Sequence, residues 1–177
     1  MATTAATSPG TLANDASFGD VAWSDASNAA SSNDTYATSA IAISQTSQYL
    51  KATNFGFSIP GGSRIDGITV EIEKSVTALS NVTDVRVRIV KGGAIGSTDK
   101  SDVDNWSTTD TYETYGGAAD LWGETWTATD INVSTFGVVI AAQYGSGVPT
   151  AQVDHIRITV TYIPGLINSI MLLGVGK

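Results

Sequence analysis

Reactive side chains are scarce in this chain: 177 residues contain no cysteine and one histidine, His155. An imidazole can act as a general acid or base, but it then needs a nucleophile or a paired carboxylate, and no local motif supplies either. His155 shares its strand face with Arg157, Thr159 and Thr161, so an exposed strand histidine is the expectation. Asp99, Asp102 and Asp104, in Thr-Asp-Lys-Ser-Asp-Val-Asp-Asn, could gather oxygens for calcium. The run lacks the glycine and the terminal glutamate of an EF-hand loop, which favours a solvated turn over a metal site. Trp106, Tyr112, Tyr115, Trp122 and Trp126 allow two readings. Trp106, Trp122 and Trp126 could stack on sugar rings, or the whole group could cap an open end of a core, where large rings bury much area.

The remaining candidates are weaker. Gly61-Gly62 and Gly116-Gly117 do not lead from a strand into a helix, as a phosphate-binding loop requires. Arg86, Arg88 and Arg157 could pair with Glu71 and Glu73 across strands, each exposed pair contributing about 0–1 kcal/mol. No cofactor is expected, and the chain is not expected to be an enzyme, because no set of residues offers base, nucleophile and oxyanion stabiliser together.

These residues must be positioned by strands. Ile68, Val70, Ile72 and Val76 alternate with Thr69, Glu71, Glu73 and Ser75, a period of two that puts one face on a core and the other in water. The pattern recurs in Val85-Arg86-Val87-Arg88-Ile89 and from Ile156 to Tyr162. Ile41 alternates with Ile43, and Phe55 with Phe57 and Ile59. The stretch from Phe136 to Tyr144 is apolar on both faces, as a covered central strand would be. The class expected is all-β: an antiparallel β-sandwich, jelly-roll-like, with about seven to eight short strands.

Three parts are expected along the chain: an N-terminal arm (1–20), a sandwich domain (21–163) and an apolar C-terminal tail (164–177). In the tail, Leu166, Ile167, Ile170, Met171, Leu172, Leu173 and Val175 call for burial, either on their own domain or in a protein interface. The net charge of −8 argues against a nucleic-acid surface. No apolar run is long enough to span a bilayer, and Met1 to Ser8 lacks the regions of a signal peptide. A protein made in the cytoplasm of its cell is therefore expected.

Several segments together resemble a family of uncharacterised proteins of tailed phages and prophages. They are Val21-Ala-Trp23, Asp34-Thr-Tyr36-Ala37, the run from Ser47 to Pro60, Ile65-Asp-Gly67-Ile68, Tyr115-Gly-Gly117, Asp120-Leu-Trp122-Gly123, Phe136-Gly137-Val138 and Val153-Asp154-His155-Ile156. The resemblance implies a virion structural protein made in the host cytoplasm, with no catalytic residues to carry over. A capsid decoration (cement) protein leads, binding the major capsid protein or another virion protein as a homo-oligomer, a trimer first. The alternative is a carbohydrate-binding module of a tail fibre or other appendage.

Overall fold

The computed structural model describes residues 1–79, 81–145 and 149–165. In chain order the strands are β1 (Ala2–Thr3), β2 (Thr11–Asp15), β3 (Ala37–Ser39), β4 (Tyr49–Thr53) and β5 (Arg64–Val76). β6 (Val82–Lys91), β7 (Ala94–Ile95), β8 (Thr111–Gly117), β9 (Gly137–Tyr144) and β10 (Ala151–Ile163) follow. One sheet runs β1-β10-β5-β8, with β3 also on β10; the other runs β2-β4-β9-β6-β7. All the strand pairings are antiparallel. The all-β antiparallel sandwich is therefore what the alternating sequence encodes, although two strands are long, at 13 residues each.

Inward-facing Ile68, Val70 and Ile72 of β5 and Ile156, Ile158 and Val160 of β10 are fully buried, as are Val87 and Ile89 of β6 and Val138 and Ile140 of β9. Each such side chain contributes about 1.5–3 kcal/mol on leaving water. Strand β9 is central and covered on both sides, because Val139 and Ala141 pack with Tyr49, Val90, Phe18, Val85 and Ile95 on its outer face. Val85 thus belongs to that outer cluster. A bulge between Asp84 and Arg86 shifts the alternation, turning both Asp84 and Val87 inward.

Three expectations need correction. The first 20 residues are not an arm outside the sandwich: β1 pairs with β10 and β2 with β4, giving edge strands to both sheets. Residues 55–59 bury Phe55, Phe57 and Ile59 but form no strand, since Asn54 and Gly56 take positive φ (60° and 69°). Ile43 is exposed while Ile41 is buried. The apolar tail residues Leu166 to Val175 lie outside the described residues.

A buried ion pair joins the sheets. Lys74 Nζ of β5 donates to Asp84 Oδ1 of β6 at 2.7 Å, and also to the Tyr115 hydroxyl. Asp84 further accepts Tyr115 Oη–H at 2.7 Å, Trp106 Nε1–H at 2.8 Å and the Asp102 N–H at 3.2 Å. Removing one partner leaves the other charge buried alone, which costs about 3–5 kcal/mol. Asp84→Ala is therefore expected to lower the free energy of urea unfolding by about that amount; a change below about 1 kcal/mol would show that the pair is not buried as described.

Candidate functional site

The aromatic group does not form a platform. Trp106, Trp122 and Trp126 are 4%, 1% and 8% exposed, which overturns the stacking role for them. Each indole N–H is satisfied internally: Trp106 by Asp84, Trp122 by the Ile68 carbonyl at 2.9 Å and Trp126 by the Leu121 carbonyl at 2.9 Å. Rings of this size with an internal acceptor bury more favourably than they stack on a distant ligand. Gly116, at φ 71°, serves this packing, because a Cβ there would lie 2.6 Å from Trp122 Nε1.

Nor do Asp99, Asp102 and Asp104 converge. Asp99 accepts from the Val87 and Ser101 N–H groups at 3.0 Å and pairs with Arg86 and Arg88 at 3.3 and 3.2 Å. Burial pushes its carboxyl up, but these donors outweigh burial and hold it below the usual range. Asp102 accepts the Asp104 N–H at 2.9 Å in a local turn. Arg86 and Arg88 stand on the other sheet from Glu71 and Glu73, so of the arginines only Arg157 makes the expected cross-strand pair.

What the fold does assemble is a polar row on the outer face of β8, β5 and β10. The register puts Tyr112 opposite Glu73 and Glu73 opposite His155, with Glu71 beside Arg157 in the next row. Arg157 grips Glu71 through two hydrogen bonds of 2.9 and 2.8 Å, and its guanidinium lies 4.0 Å from the Tyr112 ring centroid. His155 is 8% exposed, so it is not the exposed residue expected. Its Nδ1 meets the Tyr112 hydroxyl at 2.7 Å and its Nε2 meets Ser8 Oγ at 2.8 Å. Burial lowers its pKa, with Arg157 adding to the effect while Glu73, Asp154 and Glu71 oppose it.

Beside this row, Asp34, Asp110 and Asp154 bring carboxylate oxygens within 4.8 Å of one another. Asp154 sits at the β10 bulge and accepts N–H groups of Asn33, Asp34 and Thr35 at 2.9, 3.2 and 3.2 Å. Its carboxylate is thus spent on anchoring the 33–35 loop. Burial first, and then the charges of Glu73, Asp154 and Asp34, push Asp110 up to about 6, with Tyr36 opposing them in part. Tyr36 itself is pushed up to about 12, by burial first and then by Asp110.

Residues up to 147 positions apart build this row. Glu73 and His155 each sat on a polar strand face that sequence could trace; Tyr112 lay in a stretch expected to be a connection and is on β8, and the strand order that aligns the three was not readable. Ser8 carried no signal at all.

No family model and no curated protein matches the chain. It is similar in layered form to a structure described as "CBM4 structure and function", at 16% identity and a TM-score of 0.42 over 83% of this chain and 92% of that one. It is also similar to the N-terminal cellulose-binding domain of β-1,4-glucanase C from Cellulomonas fimi, at 15% identity, TM-score 0.32 and 88% of each chain. A third, a crystal structure with a xylogluco-oligosaccharide, gives 17% identity and TM-score 0.35 over 89% of this chain and 37% of that one. These overlaps are loose and set no ligand for this chain.

Two outcomes follow from the geometry. Iodide is expected to leave the native tryptophan emission nearly unquenched and to quench it after urea unfolding; efficient native quenching would place an indole at the surface. Asp110 carries a raised folded pKa, so its ionisation penalises the fold as pH rises from the unfolded value near 3.8 through about 6. Asp110→Asn is expected to raise the melting temperature at pH 7, with the gain fading as pH falls towards 4. A gain that persists undiminished at pH 4 would contradict this origin.

Proposed function

We propose that this protein is a binding module for a neutral, hydroxyl-rich ligand, a glycan, held on the outer face of β10, β5 and β8. The observation that carries the reading is the Arg157–Glu71 fork laid over the Tyr112 ring on a part-exposed sheet face. An arginine fixed by a carboxylate presents its remaining N–H groups in a set geometry. The carboxylate's other lone pairs accept hydroxyls, and a flanking aromatic edge gives apolar contact. Glu71, Glu73, Asp110 and Asp154 make this surface acidic, which disfavours phosphate-bearing ligands. No cavity opens among the described residues, which suits a chain lying along the surface better than a small molecule enclosed by protein.

The test is a glycan array followed by titration of each hit against Arg157→Lys and Tyr112→Ala. Each variant is expected to weaken binding about tenfold or more, since a charge-assisted hydrogen bond contributes about 1.5–3 kcal/mol. No binding across a broad panel by protein with native circular dichroism would overturn the reading, and so would hits whose affinity neither substitution changes.

A further inference from the structure

Lys74 of β5 and Asp84 of β6 bring an amine and a carboxyl together across the sandwich. Their side chains are 6% and 0% exposed, and Nζ lies 2.7 Å from Oδ1. Lys74 keeps the inward phase of Ile68, Val70 and Ile72, and the bulge before Arg86 turns Asp84 to meet it. Both strands are paired on each side, β5 with β10 and β8, β6 with β9 and β7, so neither group can swing away. Reacting groups held in this manner reach effective molarities of about 10⁵–10⁸ M. The Trp106 and Tyr115 rings flank Nζ at 4.8 and 5.2 Å and keep out water that would compete with the amine.

The hydrogen bonds around the pair are those a condensation requires. Lys74 Nζ donates to Tyr115 Oη, and Tyr115 Oη–H donates to Asp84 Oδ2 at 2.7 Å. The phenol therefore bridges the nucleophile and the oxygen that must leave. Passing one proton from Nζ to Oη and one from Oη to Oδ2 turns the ion pair into a neutral amine and a neutral acid. Net charge is unchanged, and burial favours the exchange because two neutral groups lose less hydration than two ions. On the other oxygen, Trp106 Nε1–H donates to Oδ1 at 2.8 Å, placed to hold the negative charge that attack builds there.

We infer that Lys74 and Asp84 condense into an intramolecular isopeptide bond that joins the two sheets covalently. After the proton relay, the Nζ lone pair bonds to Cγ and the carbonyl electron pair moves onto Oδ1. The nitrogen then gives a second proton through Tyr115 to Oδ2. Oδ1 re-forms its double bond as Cγ–Oδ2 breaks, and one water leaves. The product is a neutral amide in place of two buried charges, and the reaction consumes no other reagent. The inference does not rest on glycan binding.

The experiment reads the intact mass of the denatured full chain and then its tryptic peptides. The mass is expected to be one water below the value its sequence gives. Trypsin is expected to skip Lys74 and release residues 65–86 as a single piece, also one water light. Lys74→Met and Asp84→Ala are expected at their full sequence masses. Tyr115→Phe keeps the ring but removes the relay, and is expected to close the bond at least about 10²-fold more slowly. A wild-type chain that stays at its full sequence mass after prolonged incubation at neutral pH overturns the inference, and this readout needs no variant to fold. Water loss that persists in Lys74→Met overturns it as well, since cyclisation at Asp66-Gly67 sheds the same water without involving Lys74.

Discussion

The buried Lys74–Asp84 pair is the constraint on which the rest of this structure depends. Two charges taken out of water are tolerated only when every remaining donor and acceptor is met, and here four donors converge on one carboxylate: the Lys74 ammonium, the Tyr115 hydroxyl, the Trp106 indole and the Asp102 amide. The ammonium also lies 4.8 Å from the Trp106 ring and 5.2 Å from the Tyr115 ring, where each π face offsets part of its lost hydration. Burial and the Asp84 charge push the Tyr115 hydroxyl far up, so it stays protonated and donates. One site therefore fixes β5 against β6 across the sandwich and ties the crossing from β7 to β8 to both. Since Tyr115 is on β8, the same contact sets where Tyr112 stands on the opposite face of that strand.

The sheet architecture was legible because it depends on a period of two, and Ile68, Val70, Ile72, Ile156, Ile158 and Val160 obey that period from end to end. What escaped the period is informative. Both deeply buried aspartates, Asp84 and Asp154, lie at bulges, where one extra residue flips the alternation. At the β10 bulge Asp154 turns to the amides of the 33–35 loop, while His155 keeps the outer face with Arg157 and is buried there under Ser8 and Tyr112. A bulge is set by partner strands distant in sequence, so no local pattern announces it. The aromatic group had two readings, core or platform, and composition could not choose between them. The choice was made by internal acceptors such as the Ile68 and Leu121 carbonyls.

The N-terminal segment shows a related limit. Its small polar residues have little apolar content to bury, and by that measure it should be loose. It is held instead by backbone pairing to β10 and β4 and by Thr4, whose hydroxyl accepts the Val160 N–H at 3.0 Å. An open sheet edge offers unpaired N–H and C=O groups to any extended chain, and these satisfy the segment whatever its side chains are. Ser8 reaches His155 through that generic pairing, which explains why its own neighbours in sequence gave no hint of it.

Asp84 and Asp154 play parallel parts on the two sides of the sheet face. Asp84 locks the crossing that delivers β8, and Asp154, through three backbone amides, locks the 33–35 loop that borders the other end of the row. Between them stand Tyr112, His155, Arg157 and Glu71, whose side chains are already tied to one another before any ligand arrives. Binding charges about 0.5–1.5 kcal/mol for each long side chain it must immobilise. On this face that ordering is done during folding, against the large burial of the core, so contacts made there by an incoming group retain most of their strength. A surface whose polar groups are fixed in advance can then bind selectively, and the two buried carboxylates are what fix them.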